Sequence, residues 1–154
     1  MVINMEDELK ENLETTQFIV IKIGDEQYGI NINNIDNILR MQHITRVPKV
    51  ASYIEGVINL RGEVIPVISL RTRMGLPDGE ETKDTRIIIL KVEQQEVMGV
   101  IVDEVKEVVT LSEEQMERVS YEDRDDKQNF IYGIGKYEAG LISLLDLNTI
   151  VLEN

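Results

Sequence analysis

Short apolar runs rich in β-branched residues, separated by polar or glycine-bearing turns, set the pattern of this chain. Residues 18–23 and 87–92 each read as an apolar strand, and Gly24-Asp25-Glu26 and Glu93-Gln94-Gln95 follow them as turns. A second strand runs from Tyr28 or from Val97, bends near Asn33 or Asp103, and continues as a third strand through Ile38 or Val108. The apolar phase changes at each bend, because Ile32 and Ile35, like Val102 and Val105, stand three apart rather than two. A loop then leads to a hairpin over 53–69 or 130–146, and a short helix follows, capped by Ser69 or by Asp146.

The two sets of elements are copies of one another. Gly29-Ile-Asn-Ile-Asn-Asn-Ile-Asp-Asn-Ile-Leu39, moved by 70 positions, lies over Gly99-Val-Ile-Val-Asp-Glu-Val-Lys-Glu-Val-Val109 without a gap. Ile30, Ile32, Ile35, Ile38 and Leu39 all meet valines. Moved by 77, Tyr53-Ile-Glu-Gly-Val57 lies over Phe130-Ile-Tyr-Gly-Ile134, and Val64–Leu70 lies over Leu141–Leu147. The seven extra residues of the second copy fit in the acidic stretch 122–129.

Five short strands per copy predict an all-β fold of two pseudo-symmetric five-stranded barrels, each with a short helix after its hairpin. A barrel of ~60 residues buries too little surface to be stable alone, so the two are expected to share a core. The first barrel repeat is expected over 17–75, a linker over 76–84 and the second repeat over 85–154. Gly75 stops the first helix, and Pro77 with Asp78-Gly79 marks a turn. Residues 1–16 carry five acids against Lys10 and are expected to form a flexible leader.

The formal charge of −13 disfavours nucleic acid and anionic lipid as partners. That charge is uneven. Residues 40–73 hold six cations against Glu55 and Glu63, whereas 103–126 hold ten acids against three cations. A basic face that docks an acidic partner is one reading, and ordinary surface variation is the other. No apolar run reaches the ~18–20 residues that span a bilayer, and the start of the chain lacks the pattern of a secretory signal, so a cytoplasmic protein without membrane insertion is expected.

Candidate chemistry is scarce. There is no cysteine and one histidine, His43, which excludes thiol nucleophiles and the usual metal clusters. No nucleophile elbow or phosphate-binding glycine loop occurs. The stretch from Asp123 to Gln128 resembles a calcium loop, but Lys127 and Gln128 stand where a ligand and a glycine are required. Neither catalytic residues, nor a metal, nor a cofactor is expected. A ligand-binding or hydrolytic protein on a double-barrel scaffold is the alternative, and a pocket enclosing two carboxylates of raised pKa would favour it.

One segment breaks the repeat. Asn59-Leu60-Arg61-Gly62 forms the first hairpin tip, and its counterpart is Lys136-Tyr137-Glu138-Ala139, so an arginine in one copy meets a glutamate in the other. With Gly56, Pro66 and Leu70, this tip resembles the signature of the CheW family of chemotaxis coupling proteins. Gly24-Asp25-Glu26-x-Tyr28-Gly29-Ile30 and Val100-Ile-Val-Asp103-x-Val105 extend the resemblance over nearly all of 17–152.

The resemblance implies two SH3-like barrels around a shared core and no catalysis. It implies an adaptor that joins chemoreceptors to the histidine kinase CheA, docking the kinase's regulatory domain barrel against barrel and the receptor's cytoplasmic hairpin tip in an apolar groove. Matched strand by strand, the groove falls at Ile32, Ile35, Ile38, Val105 and Val108. The kinase and receptor interface falls at Gly56, Asn59, Arg61 and Gly62. Asn37 stands where many members carry an acid, so a charge contact made there in the family is not expected here. A chain that starts at Met1 and ends after its second helix is expected to be a complete adaptor without an appended receiver domain.

Overall fold

The computed structural model describes residues 14–92, 97–120 and 130–151. In chain order the strands are β1 (Thr15–Ile23), β2 (Glu26–Asn31), β3 (Ile35–Arg40), β4 (Ile54–Leu60), β5 (Glu63–Ser69), β6 (Arg86–Lys91), β7 (Val97–Val102), β8 (Glu104–Ser112), β9 (Met116–Arg118), β10 (Ile131–Tyr137) and β11 (Gly140–Leu145). Helix α1 (Leu70–Arg73) follows β5 and α2 (Leu147–Val151) follows β11. Ser69 Oγ accepts from the Thr72 N–H at 3.2 Å, and Asp146 Oδ1 accepts from the Thr149 N–H at 3.3 Å, so both expected caps form. Thr15 and Thr16 of the expected leader open β1 instead, and residues 1–13 lie outside the described residues.

The repeats do not each close into a sheet of their own. One sheet runs β8-β1-β2-β11-β10-β9 and the other β3-β6-β7-β5-β4. The first hairpin of each copy therefore sits among the later strands of the other, through parallel contacts of β2 with β11 and of β5 with β7. Barrel boundaries drawn along the sequence are corrected by this exchange. The bend after β2 and after β7 sends the chain out of the sheet it has just built. The same exchange requires both copies to fold together, in line with the small surface that either could bury alone.

Three apolar clusters result. Phe18, Val20, Val109, Leu111, Ile142 and Leu144 fill the six-stranded barrel. Ile58, Ile65, Val67, Ile87 and Ile89 fill the five-stranded one. Between the barrels lies a larger cluster with Ile19, Ile21, Ile30, Ile88, Leu90, Val100 and Ile150. Strands β1 and β6 are buried on both faces, one toward their own barrel and one toward this shared core, and this explains their continuous apolar runs.

Arg73 joins the copies at this seam. Its guanidinium lies 4.6 Å from the Tyr53 ring centre and 4.9 Å from that of Phe130, and these two aromatics are repeat mates. It also donates to the carbonyls of Ile150 at 2.9 Å and Thr149 at 3.0 Å in the last helix.

Candidate functional site

Four of the expected groove residues lie on the two strands that follow the bends, β3 and β8, each at one edge of its sheet, and Ile32 lies in the bend itself, between β2 and β3. A β-bulge interrupts each strand. Pairing with β6 shifts between Ile35 and Asn37, leaving Asp36 as the extra residue. Pairing with β1 passes from Glu107 to Val105, leaving Lys106. Asp36 and Lys106 are repeat mates. Each bulge returns residues three apart to one face, so Ile35 and Ile38 stand together, as do Val105 and Val108. Ile35 pairs with Leu90 and Ile38 with Ile88, while Val105 pairs with Ile21 and Val108 with Ile19. All four of those partners belong to the shared core. The groove residues thus line the open margins of one cluster that both sheets feed.

Burial separates the five. Ile32, Ile35 and Val105 are half-buried and pack against the shared core. Ile38 is 37% exposed and Val108 50%. These two mates leave large apolar side chains uncovered. The outer hairpins repeat the pattern with another mated pair, Val64 and Leu141, at 67% and 58%. A pair of mates uncovered at each of two places is not scatter of single surface residues.

The tip of the β4–β5 hairpin is a two-residue loop, since Leu60 pairs with Glu63. Arg61 has φ +52° and Gly62 φ +85°, and positive φ at both central positions is the type I′ turn that suits twisted hairpins. Asn59 Oδ1 accepts from the Gly62 N–H at 3.1 Å and holds the turn. Asn59, Arg61 and Gly62 are exposed. Arginine is a poor choice for the first central position, where asparagine or glycine is favoured, and costs on the order of 1 kcal/mol there. The mate tip turns differently, with positive φ at Gly140 and not at Glu138.

Gly56 differs from its companions in the motif. It is buried, and a Cβ built on it would lie 2.1 Å from the Thr45 carbonyl oxygen. Thr45 and Val57 exchange backbone hydrogen bonds of 2.9 and 2.8 Å there, which ties the segment after β3 to β4. An interface role for Gly56 is corrected accordingly: it offers no surface, and the approach of Thr45 explains why the motif needs a glycine.

Sequence reasoning missed a second group, Arg71 and Asp103. Asp103 occupies the bend before β8. Its Oδ1 accepts from Arg71 Nε at 3.2 Å, its Oδ2 accepts from Arg71 Nη2, and the Gly24 N–H donates to Oδ2 at 2.7 Å. Arg71 Nη1 donates to the Pro77 carbonyl at 2.8 Å. The ion pair thus fastens two segments to the start of β8, the linker through the Arg71 guanidinium and the β1–β2 turn through the Asp103 carboxylate. The repeat mates are Asn148 and Asn33, so an ion pair forms at only one of the two bends. The partners are 32 residues apart in sequence, which hides them from motif reading.

Partial burial pushes the Asp103 carboxyl pKa up, but the hydrogen bonds from Arg71 and Gly24 and the charges of Arg71 and Lys22 outweigh it and hold the pKa below its ordinary value. A lowered folded-state pKa stabilises the fold above the ordinary carboxylate range, and that stabilisation is lost as pH falls through the folded value. With side chains 21% and 31% exposed, the pair is partly screened. Asp103→Asn is therefore expected to cost about 1 kcal/mol at pH 7, and that deficit is expected to shrink as pH falls below the ordinary carboxylate range, as read by urea unfolding at pH 7 and at pH 3. An equal deficit at both would contradict the ionic role.

Two SH3-like barrels with exchanged hairpins, a shared core and an open apolar margin define the class, and comparison with known proteins names the family. Residues 17–153 match the model of the CheW-like domain. The chemotaxis protein CheW of Bacillus subtilis is 41% identical over 135 residues, 88% of this chain and 86% of that protein. The chemotaxis protein CheW of Helicobacter pylori is 38% identical over 142 residues, 92% of this chain and 85% of that one. The crystal structure of scaffolding protein TtCheW from Thermoanaerobacter tengcongensis superposes with a TM-score of 0.82 at 32% identity, covering 90% of this chain and 94% of that one. The chain belongs to the CheW family.

Proposed function

We propose that this protein is a non-enzymatic cytoplasmic adaptor that couples chemoreceptors to the histidine kinase CheA and is recruited to membrane-associated receptor arrays. The observation that carries this reading is the uncovered pair Ile38 and Val108 on the margins of the shared core, next to half-buried Ile32, Ile35 and Val105. Uncovered apolar residues on these margins suit the apolar face of a partner helix, and the receptor's hairpin tip is that partner. The second uncovered pair, Val64 and Leu141 on the outer hairpins, suits barrel-against-barrel docking of the kinase's regulatory domain. No helix among the described residues is long and apolar enough to cross a membrane. Asp103, held below the ordinary carboxylate range by Arg71, is the opposite of the raised carboxylates that a hydrolytic site would need.

Arg61 extends this reading to the hairpin tip. The side chain stands exposed at a turn position that disfavours it, so it is kept for something other than the fold. A flat fork of five donors suits carboxylates and carbonyls of a partner. Arg61→Glu is expected to leave the melting temperature within 2–3 °C, since exposed sites change stability by ~0.5 kcal/mol. The same change is expected to cut assembly of the receptor–kinase complex by roughly tenfold or more, while Glu138→Arg at the mate tip does so much less. Pull-down with receptor hairpin and kinase together at low and moderate salt checks this. Equal losses from the two substitutions would sink the role given to Arg61.

A further inference from the structure

The β3 margin of the groove does not end on an apolar residue. Its exposed face continues from Ile38 to Arg40, two residues on and on the same side of the strand. Directly opposite on β6 stand Ile88 and Arg86, so the ladder reads Ile35–Leu90, Ile38–Ile88, Arg40–Arg86. Two arginines face each other across the strands, an arrangement that disfavours the fold unless something offsets it. Arg86 turns away and donates to the carbonyls of Lys83 and Thr85 at 2.8 and 2.9 Å. Arg40 has no ion-pair partner among the described residues. It opens with Lys83 and Arg86 onto a pocket of about 500 Å³, which Glu81 and Asp84 also line without pairing to it. On the other margin the mate of Arg40 is Thr110, which is exposed and uncharged.

We infer that Arg40 is a specificity residue of the groove, reading a carboxylate on the bound helix and fixing which way that helix lies. The inference rests on the groove being the receptor site. Each ladder step spans two strand residues, roughly 7 Å. Four residues of an α-helix rise ~6 Å. A helix lying along β3 meets Ile35, Ile38 and Arg40 with side chains at i, i+4 and i+7 or i+8, in the order apolar, apolar, acidic. The β8 margin offers Val105, Val108 and Thr110 at corresponding places and binds no acid. A helix laid in reverse, or shifted to pair its acid with β8, loses the charge contact.

The test titrates the full chain with the soluble cytoplasmic hairpin of a chemoreceptor at 50 and 300 mM salt, comparing wild type, Arg40→Glu, Arg40→Gln and Ile38→Asp. Arg40→Glu is expected to raise Kd about tenfold at low salt and to flatten the salt dependence. Arg40→Gln is expected to raise it about threefold. The melting temperature of Arg40→Glu should stay level or rise, because a carboxylate in that place faces Arg86. A purely structural arginine would lower it. Among receptor hairpins with single acid-to-lysine changes, one should restore binding to Arg40→Glu, and its site should lie three or four residues beyond two apolar residues spaced by four. If Ile38→Asp abolishes binding while both Arg40 variants bind as wild type at both salts, the groove stands and the role of Arg40 is overturned. If Ile38→Asp is also without effect, groove and inference fall together.

Discussion

Gly56→Ala is expected to destabilise this protein by about 3 kcal/mol or more, enough to unfold much of a marginally stable domain at 37 °C. Two causes add. Gly56 has φ +151°, a conformation that L side chains rarely adopt. The new methyl group would sit 2.1 Å from the Thr45 carbonyl oxygen and 2.9 Å from Ile44 Cγ2. Backing Thr45 away breaks its two hydrogen bonds to Val57 and loosens the segment that ties β3 to β4. Gly62→Ala separates strain from clash. Gly62 also has positive φ, at +85°, but nothing lies within 4 Å of its built Cβ, so about 1–2 kcal/mol is expected there. Urea unfolding of both variants checks the pair. Equal costs would mean that the approach of Thr45 contributes nothing.

Ile38→Asp and Val108→Asp are each expected to weaken receptor binding by about 2 kcal/mol, roughly thirtyfold, with the fold intact. Both side chains are already one-third to one-half exposed, at 37% and 50%, so a carboxylate in either place keeps most of its hydration. Ile35→Asp behaves differently. Ile35 packs against the shared core, where a charge costs several kcal/mol, so that variant reports on folding as well as binding. Calorimetric titration with a receptor hairpin, beside thermal melts of the same samples, separates the cases. Wild-type affinity in both Ile38→Asp and Val108→Asp would remove the groove from the receptor site.

Much of this was legible in the chain. The internal repeat showed because two related barrels demand apolar residues at matched places, and Ile30 to Leu39 answer Val100 to Val109 one for one. Both bends showed as the three-residue spacing of Ile32 to Ile35 and Val102 to Val105, whereas the bulges follow them, at Asp36 and Lys106. The exchange of hairpins did not show, because an alternating pattern says which face a strand buries and not which strand it pairs with. Asp103 and Arg71 stayed hidden for the same reason, since the linker, the β1–β2 turn and the start of β8 meet only through that exchange. The stacking of Arg73 between Tyr53 and Phe130 left a trace, a pair of mated aromatics, but nothing in the sequence joins them to a cation. In the hairpin motif, Gly56 and Arg61 look alike as signature residues. Only the backbone separates them, one buried against Thr45 and the other exposed at an I′ turn.

The adaptor role itself is tested most directly by bridging. A chemoreceptor's cytoplasmic fragment arrayed on vesicles is sedimented with the regulatory domain of the kinase, with and without this protein, at moderate salt. The regulatory domain is expected to enter the pellet in proportion to added protein and to stay in the supernatant without it, while the protein alone binds each partner separately. A regulatory domain that pellets equally without the protein, or a protein that binds one partner only when the other is absent, would contradict an adaptor that holds both at once.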